Sequence, residues 1–322
     1  MMRIAEYKES EKSRWDAFVR QSRNGTFLFL RDYMDYHADR FADLSLVITR
    51  PDGELLGILP AHRTGDVVVS HGGLTYGGFV TDGRMRTALM LDMFLRVQEF
   101  LAERGVRRVV YKTVPHIYHL VPAEEDLYAL ARIGARLVRR DLLSVVRPRG
   151  GIRFQDRRLR GVRKAEADDV RVDRCEDYEA FWQILQQNLL AAHGIRPVHT
   201  LAEIQRLHAL FPDHIKLYAA HRSSEMIGGT LIYETPTVAH AQYIAASDAG
   251  RSCRALDLLF YYLLTDVYRE KPYFDFGISA ENGGRDLNVG LIEFKEGFGA
   301  RGVTHDFYEF EIAPPETDGG CR

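Results

Sequence analysis

The order of predicted elements repeats along the chain, and this repeat constrains the fold more than any other feature. In the first half a helix over about Glu9 to Gln21 precedes the apolar strand LSLVITR. The turn Pro51-Asp52-Gly53 leads into ELLGILPAHR, and Thr64-Gly65-Asp66 leads into VVVSHG, the pattern of an antiparallel meander. A glycine-rich loop, GGLTYGGF, follows. The segment ALMLDMFLRVQEFLAER then sets Met90, Phe94, Val97 and Leu101 on one helical face, Gly105 stops it, and the strand RRVVYKTV comes next.

The second half gives the same order. The helix EDYEAFWQILQQNLLAA and a second helix, opened by the capping-box pair Thr200 and Glu203, precede the strand IKLYAAHR. MIGGTLIYE, VAHAQYIAAS, the helix RALDLLFYYLLTDVYRE and the strand YFDFGISA complete it. Gly57 and Gly228 occupy matching places in the second strand, 171 residues apart. We read an internal duplication of one α/β unit, with two unrelated α/β segments as the alternative. The expected fold class is α/β (α+β): two tandem units, each a mixed, largely antiparallel sheet flanked by helices. Expected domains are residues 1–147 and 169–322, joined by a basic linker helix over 148–168.

That joining segment is unusual. Arg147, Arg149, Arg153, Arg157, Arg158, Arg160, Arg163 and Lys164 stand against one acid, Asp156, in a chain whose net charge is −2. Most charge runs are solvated surface. Arginine forks also match phosphate geometry, so Arg160, Arg163 and Lys164 are candidate contacts to a nucleotide, coenzyme or RNA phosphate.

Composition excludes several classes. A pI near 6.6 argues against a globally basic DNA-binding protein. Cys175, Cys253 and Cys321 are odd in number and far apart, which argues against a disulfide framework or a cysteine-rich zinc site and fits a reducing compartment. The N-terminus is charged where a signal peptide needs an apolar stretch. The most apolar helical segment, ALDLLFYYLLTDV, is about 13 residues long and holds two aspartates, whereas a membrane span needs roughly 20 apolar residues. A cytoplasmic chain without integral membrane contact is expected. HxxxH, HExxH, GxSxG and P-loop patterns are missing, so neither a catalytic metal nor a permanently bound cofactor is expected.

Three stretches resemble one family. TFLFLRDYMDYHADRF is similar to the helix opening of FemABX and related GNAT-like acyltransferases, with a methionine or tyrosine in place of the family's tryptophan. RRLRGVRKAEADDVRV resembles their R-x-x-I-R-K-A-x-K-x-G-V segment, with Val162 for the isoleucine and Asp169 for the glycine. LNVGLIEFKEGFG resembles their C-terminal G-L-x-x-F-K-x-G-F-G motif, and matches best. The resemblance implies a tandem GNAT fold that moves an acyl or aminoacyl group from acyl-CoA or aminoacyl-tRNA, as co-substrate, to an amine. The acceptor it implies is a nucleotide-linked sugar or cell-envelope precursor. In GNAT proteins a glycine loop opening the helix after the fourth strand holds the donor pyrophosphate. Here it reads DAGRSCRAL, with Gly250, Arg251 and Ala255 but without the glycines in register.

The same motif maps a substrate-contacting phenylalanine onto Phe294 and an oxyanion-stabilising cation onto Lys295. His193, at a helix end, is a candidate proton acceptor. Asp275, in YFDFGIS, and Glu281 with Asn282 beyond it are candidates to orient the acceptor amine. Tyr243 is a candidate general acid, although strand aromatics more often pack. His71 and Tyr76, in and beside the glycine loop, and Arg251 are candidate binding residues. Rival readings are a strictly aminoacyl-tRNA-dependent FemX-type transferase, and a non-catalytic protein that binds envelope glycans.

Overall fold

The computed structural model describes residues 2–314. The described residues form two compact units, 2–140 with 304–314, and 141–303. Both combine mixed, largely antiparallel sheets with flanking helices.

The first unit opens with β1 (Arg3–Glu6) and helix α1 (Lys12–Gln21). Strands β2 (Leu46–Thr49) and β3 (Leu55–Leu59) pair antiparallel, with β1 on the far edge of β2. The expected strand ELLGILPAHR breaks at Pro60, which has no N–H to donate to a ladder. The chain resumes as β4 (His62–Thr64), which pairs with β5 (Val67–Val69), while β6 (Val80–Thr81) returns to β3. Helix α2 (Thr87–Glu103) buries Met90, Met93, Phe94, Val97 and Leu101, the apolar face read from its spacing. Gly105 follows with φ of 72°, the left-handed conformation that ends a helix cheaply for glycine. Strand β7 (Arg108–Lys112) pairs parallel with β5, and helix α3 (Glu125–Arg132) packs on α2.

Strand β8 (Arg136–Val146) carries the chain into the second unit. Helix α4 (Asp156–Ala167), expected in a linker, belongs to this unit. After β9 (Val170–Cys175) come α5 (Tyr178–His193) and α6 (Leu201–Leu210). The capping box forms as expected: Glu203 N–H donates to Thr200 Oγ1 at 3.2 Å, and Thr200 N–H donates to Glu203 Oε2 at 2.7 Å. Strands β10 (Ile215–Arg222), β11 (Glu225–Glu234) and β12 (Val238–Ala246) make an antiparallel meander with β9 on its edge. Helices α7 (Asp248–Ser252) and α8 (Ala255–Tyr262) follow, and α8 runs on as a π-helical turn over Leu263–Val267. Strand β13 (Tyr273–Ile278) lies between β12 and β8, then come helix α9 (Val289–Glu296) and β14 (Arg301–Glu311), whose later part pairs with β7 in the first unit.

Helix α8 is apolar on most sides because it is a core element of its unit. Leu259, Phe260 and Leu263 pack with Phe274, Phe276 and Phe298. Burying each such side chain is worth about 1.5–3 kcal/mol. Helix α4 lies against α8, which is why the basic segment alternates arginines with Gly161, Val162 and Ala165, all buried. Cys175 and Cys253 are free thiols, and Cys321 lies outside the described residues. No helix among the described residues is long and apolar enough to cross a membrane.

Candidate active site

Strands β12 and β13 form a fork. They pair in parallel only through Val238–His240 with Tyr273–Asp275. Strand β12 runs on to Ala246 with β11 on one side, and among the described residues no strand pairs with its other edge beyond His240. Strand β13 turns away at Gly277, whose φ of 74° is a left-handed conformation suited to glycine, and its ladder with β8 is interrupted at the same place.

Two side chains, Asp275 and Lys295, fix the diverging end of β13. Asp275, fully buried, accepts at Oδ1 from the Gly277 N–H at 2.7 Å. Its Oδ2 lies 2.9 Å from His240 Nδ1, across the last paired position of the fork. Lys295, buried on α9, donates to the Gly277 carbonyl at 3.0 Å and to the Ile278 carbonyl at 2.6 Å. Burial lowers its pKa to about 8, with the Asp275 charge acting in the opposite direction.

Beside the unpaired stretch of β12 is a cavity of about 530 Å3, within the size range of small-molecule sites. Ile244, Ala245 and Ala246 supply its strand wall, Leu256, Leu291 and Phe294 an apolar wall, and Arg158, Arg251 and Arg254 its cations. The three arginines differ in their partners. Arg158 is buried and pairs with Asp257 at 2.6 Å, with its guanidinium 4.5 Å from the Phe294 ring centre. Arg251 braces the end of β12, donating to the Ala246 carbonyl at 2.5 Å and pairing with Asp248 at 2.6 Å. Arg254 is exposed, has a left-handed φ of 65° at the start of α8, and forms no ion pair among the described residues.

The sequence-derived candidates fall in different places. Phe294 and Arg251 line the cavity. Asp275 and Lys295 hold the fork, and Lys295 is not among the residues lining the cavity. Tyr243, on β12, receives a hydrogen bond at 2.7 Å from His199 Nδ1 or donates one to it, and burial raises its pKa to about 12. Glu281 accepts from Asn288 at 2.8 Å and Asn282 donates to Asp286, both on an exposed hairpin before α9. His193 closes α5, and its side chain lies outside the described residues. Arg160, Arg163 and Lys164 are exposed on α4 outside the cavity lining, and Lys164 lies 3.6 Å from Asp168. His71 and Tyr76 are buried in the first unit. His71 rests against His37 and His62, with ring centres 5.2 and 5.6 Å away, and burial among them lowers its pKa to about 2. Tyr76 shares a 2.9 Å hydrogen bond with Thr26 and lies against Tyr118.

Sequence reasoning did not single out Arg158, Asn188, Arg254 and Asp257 of the cavity, or His240 of the fork. Arg158 and Arg254 look like their exposed neighbours in one dimension, and His240 gains its partner only through the register of two strands. No group of three or more His, Cys, Asp or Glu among the described residues has the arrangement of a metal site.

Residues 149–295 match the acetyltransferase (GNAT) domain family. That stretch is a GNAT acetyltransferase domain. The matched region spans the fork, the cavity and Lys295. Three solved structures share the fold over nearly the whole chain. FemX is 12% identical with a TM-score of 0.65, covering 94% of this chain and 96% of that one. L-PGS from Bacillus licheniformis is 12% identical at 0.57, covering 95% and 92%. A tandem GNAT protein from the clavulanic acid biosynthesis pathway is 14% identical at 0.54, covering 98% and 100%. The fold is therefore the FemABX-like tandem GNAT arrangement expected from the sequence motifs. No curated protein sequence matches the chain.

Proposed function

We propose that the chain is an N-acyltransferase that passes an acyl group from acyl-CoA to an amine. The observation that carries this reading is the unpaired edge of β12 beside a cavity walled by apolar side chains and arginines. A donor with an apolar arm and a phosphorylated end is complementary to such a wall. The arm would lie on Ile244, Leu291 and Phe294, and a phosphate would meet Arg254, whose guanidinium is not committed elsewhere. Peptide N–H groups on the free edge of β12 are fixed donors for the carbonyl oxygen of the acyl group. Donors held where negative charge develops lower the barrier to acyl transfer.

No covalent enzyme intermediate is needed, because positioning the amine against the acyl carbon supplies much of the acceleration. Lys295 enters this reading chiefly as the residue that holds the fork open, since two of its donors lie on β13 carbonyls. The oxyanion role read from its motif rests on the remaining N–H. We place the acceptor amine on a nucleotide-linked sugar or other cell-envelope precursor, on the strength of the FemABX-like motifs.

Exposed Arg160 and Arg163 form no ion pair among the described residues and favour a second reading, in which the donor is an aminoacyl-tRNA whose backbone they contact. Calorimetric titration with acetyl-CoA and with charged tRNA separates the two. Saturable acetyl-CoA binding, lost in a cavity-filling Ala246→Trp variant, supports the first. Binding of charged tRNA alone selects the second. If neither binds, the transferase reading fails and glycan binding becomes the working hypothesis.

A further inference from the structure

We propose that His240 is the base that takes the proton from the acceptor amine, and that Asp275 positions it. The inference rests on the acyl-transfer reading and adds the group that makes the nucleophile.

An amine near neutral pH is mostly an ammonium ion and cannot attack until it loses a proton. In this reading the acyl carbon lies against the free edge of β12, so the base must stand beside that edge and keep a bare nitrogen. His240 stands at the last position where β12 and β13 pair, at the crotch of the fork. Its ring edge faces Gly277: a methyl group built there would lie in ordinary contact, 3.4 Å from His240 Cε1. The side chain keeps 12% of its surface open. Nδ1 faces Asp275, and Nε2 has no hydrogen-bond partner among the described residues.

The surroundings of Asp275 set the tautomer. The Gly277 N–H donates to Oδ1, and the Lys295 ammonium is close enough to interact with the carboxylate electrostatically. Both are contacts that a carboxylate makes, and a carboxylate only accepts hydrogen bonds. His240 must then donate from Nδ1, which leaves the lone pair on Nε2. A carboxylate bonded to an imidazole also stabilises the imidazolium formed during proton transfer.

The step balances as follows. Nε2 takes one proton from the ammonium, and the neutral amine attacks the carbonyl carbon of the thioester. The new C–N bond forms, the C–S bond breaks, and the thiolate takes the second proton from the former amine nitrogen. The imidazolium returns its proton to water, so the net products are an amide, a free thiol and one proton.

The experiment uses the full chain labelled with 15N-histidine at pH 8, with acetyl-CoA as the probe. His240→Gln assigns the resonances. The expected spectrum has a protonated Nδ1 and a bare Nε2, with Nε2 shifting when acetyl-CoA is added. Asp275→Asn should mix the tautomers. A protonated Nε2 in the wild type, or a spectrum unmoved by Asp275→Asn, overturns the proposal. Should His240→Gln not fold, His240→Asn serves for assignment.

Turnover is read as thiol release from acetyl-CoA over a panel of primary amines. His240→Gln should lower kcat by roughly 10²–10⁴ and leave acetyl-CoA affinity unchanged. Equal kcat in wild type and variant overturns the proposal while leaving the transferase reading intact. Failure of the wild type to bind acetyl-CoA counts instead against the reading beneath it.

Discussion

The guanidinium of Arg158 lies 2.6 Å from the carboxylate of Asp257, and both side chains are at least nine-tenths buried. Burial alone pushes the Asp257 pKa up, and the hydrogen bond and charge of Arg158 oppose that shift. The pair ties helix α4 to α8 and forms part of the cavity wall. Removing one partner strands the other as an uncompensated buried charge, at a cost of about 3–5 kcal/mol. Arg158→Ala should lose about that much in chemical denaturation. Arg158→Lys should recover only part of it, because an ammonium cannot stack its plane over Phe294. A loss under 1 kcal/mol in the alanine variant would show that the pair contributes little.

Two glycines in this unit let a helix approach its neighbour closely, one of them at this pair. A Cβ on Gly161 would lie 2.2 Å from Asp257 Oδ2. Gly161→Ala should therefore displace the carboxylate and behave like a weakened Arg158→Ala. A Cβ on Gly250 would lie 2.0 Å from the Ile227 carbonyl oxygen, which is backbone and cannot swing aside. Gly250→Ala should cost at least the 1–3 kcal/mol typical of overpacking. Thermal unfolding ranks the two, and wild-type stability in either would contradict the close packing.

Arg254 is the cavity cation free to meet a phosphate. A hydrogen bond to a charged group is worth about 1.5–3 kcal/mol, so Arg254→Ala should weaken acetyl-CoA binding about tenfold or more. The difference from wild type should shrink as salt is raised. The triple variant with Arg160, Arg163 and Lys164 changed to Ala should leave that affinity unchanged. If the triple variant weakens acetyl-CoA binding and Arg254→Ala does not, the phosphate end lies along α4 instead.

Lys295 gives stability a definite pH dependence. Its folded pKa, about 8, lies below its ordinary value of 10.5. Between those values the unfolded chain binds more protons than the folded one, so unfolding free energy rises with pH across this window. Lys295→Met should remove that rise. At pH 7 the variant should also lose about 1–3 kcal/mol for each carbonyl, Gly277 and Ile278, left without its donor. Urea unfolding of both proteins from pH 7 to 10.5 reads both effects. Parallel profiles would mean that Lys295 is not desolvated in the fold.

The sequence by itself determined the elements and their repeated order. Helical spacing marked the buried face of α2, Thr200 and Glu203 fixed the start of α6, and Gly105 ended α2, because each signal is local in the chain. The FemABX-like motifs likewise located the second unit and the segment around Phe294 and Lys295. Only the tertiary structure decided what the charged residues do. Arg158 and Arg160 sit two apart on one helix, yet one is buried on Asp257, 99 residues away, and the other faces solvent. His240 meets Asp275 because β12 and β13 pair for three residues and then part. Such partnerships depend on strand register and helix packing, which bring together residues with no fixed spacing in the sequence. That is why the expected linker became part of a folded unit, and why the cavity and the His240–Asp275 pair became visible only once the chain was folded.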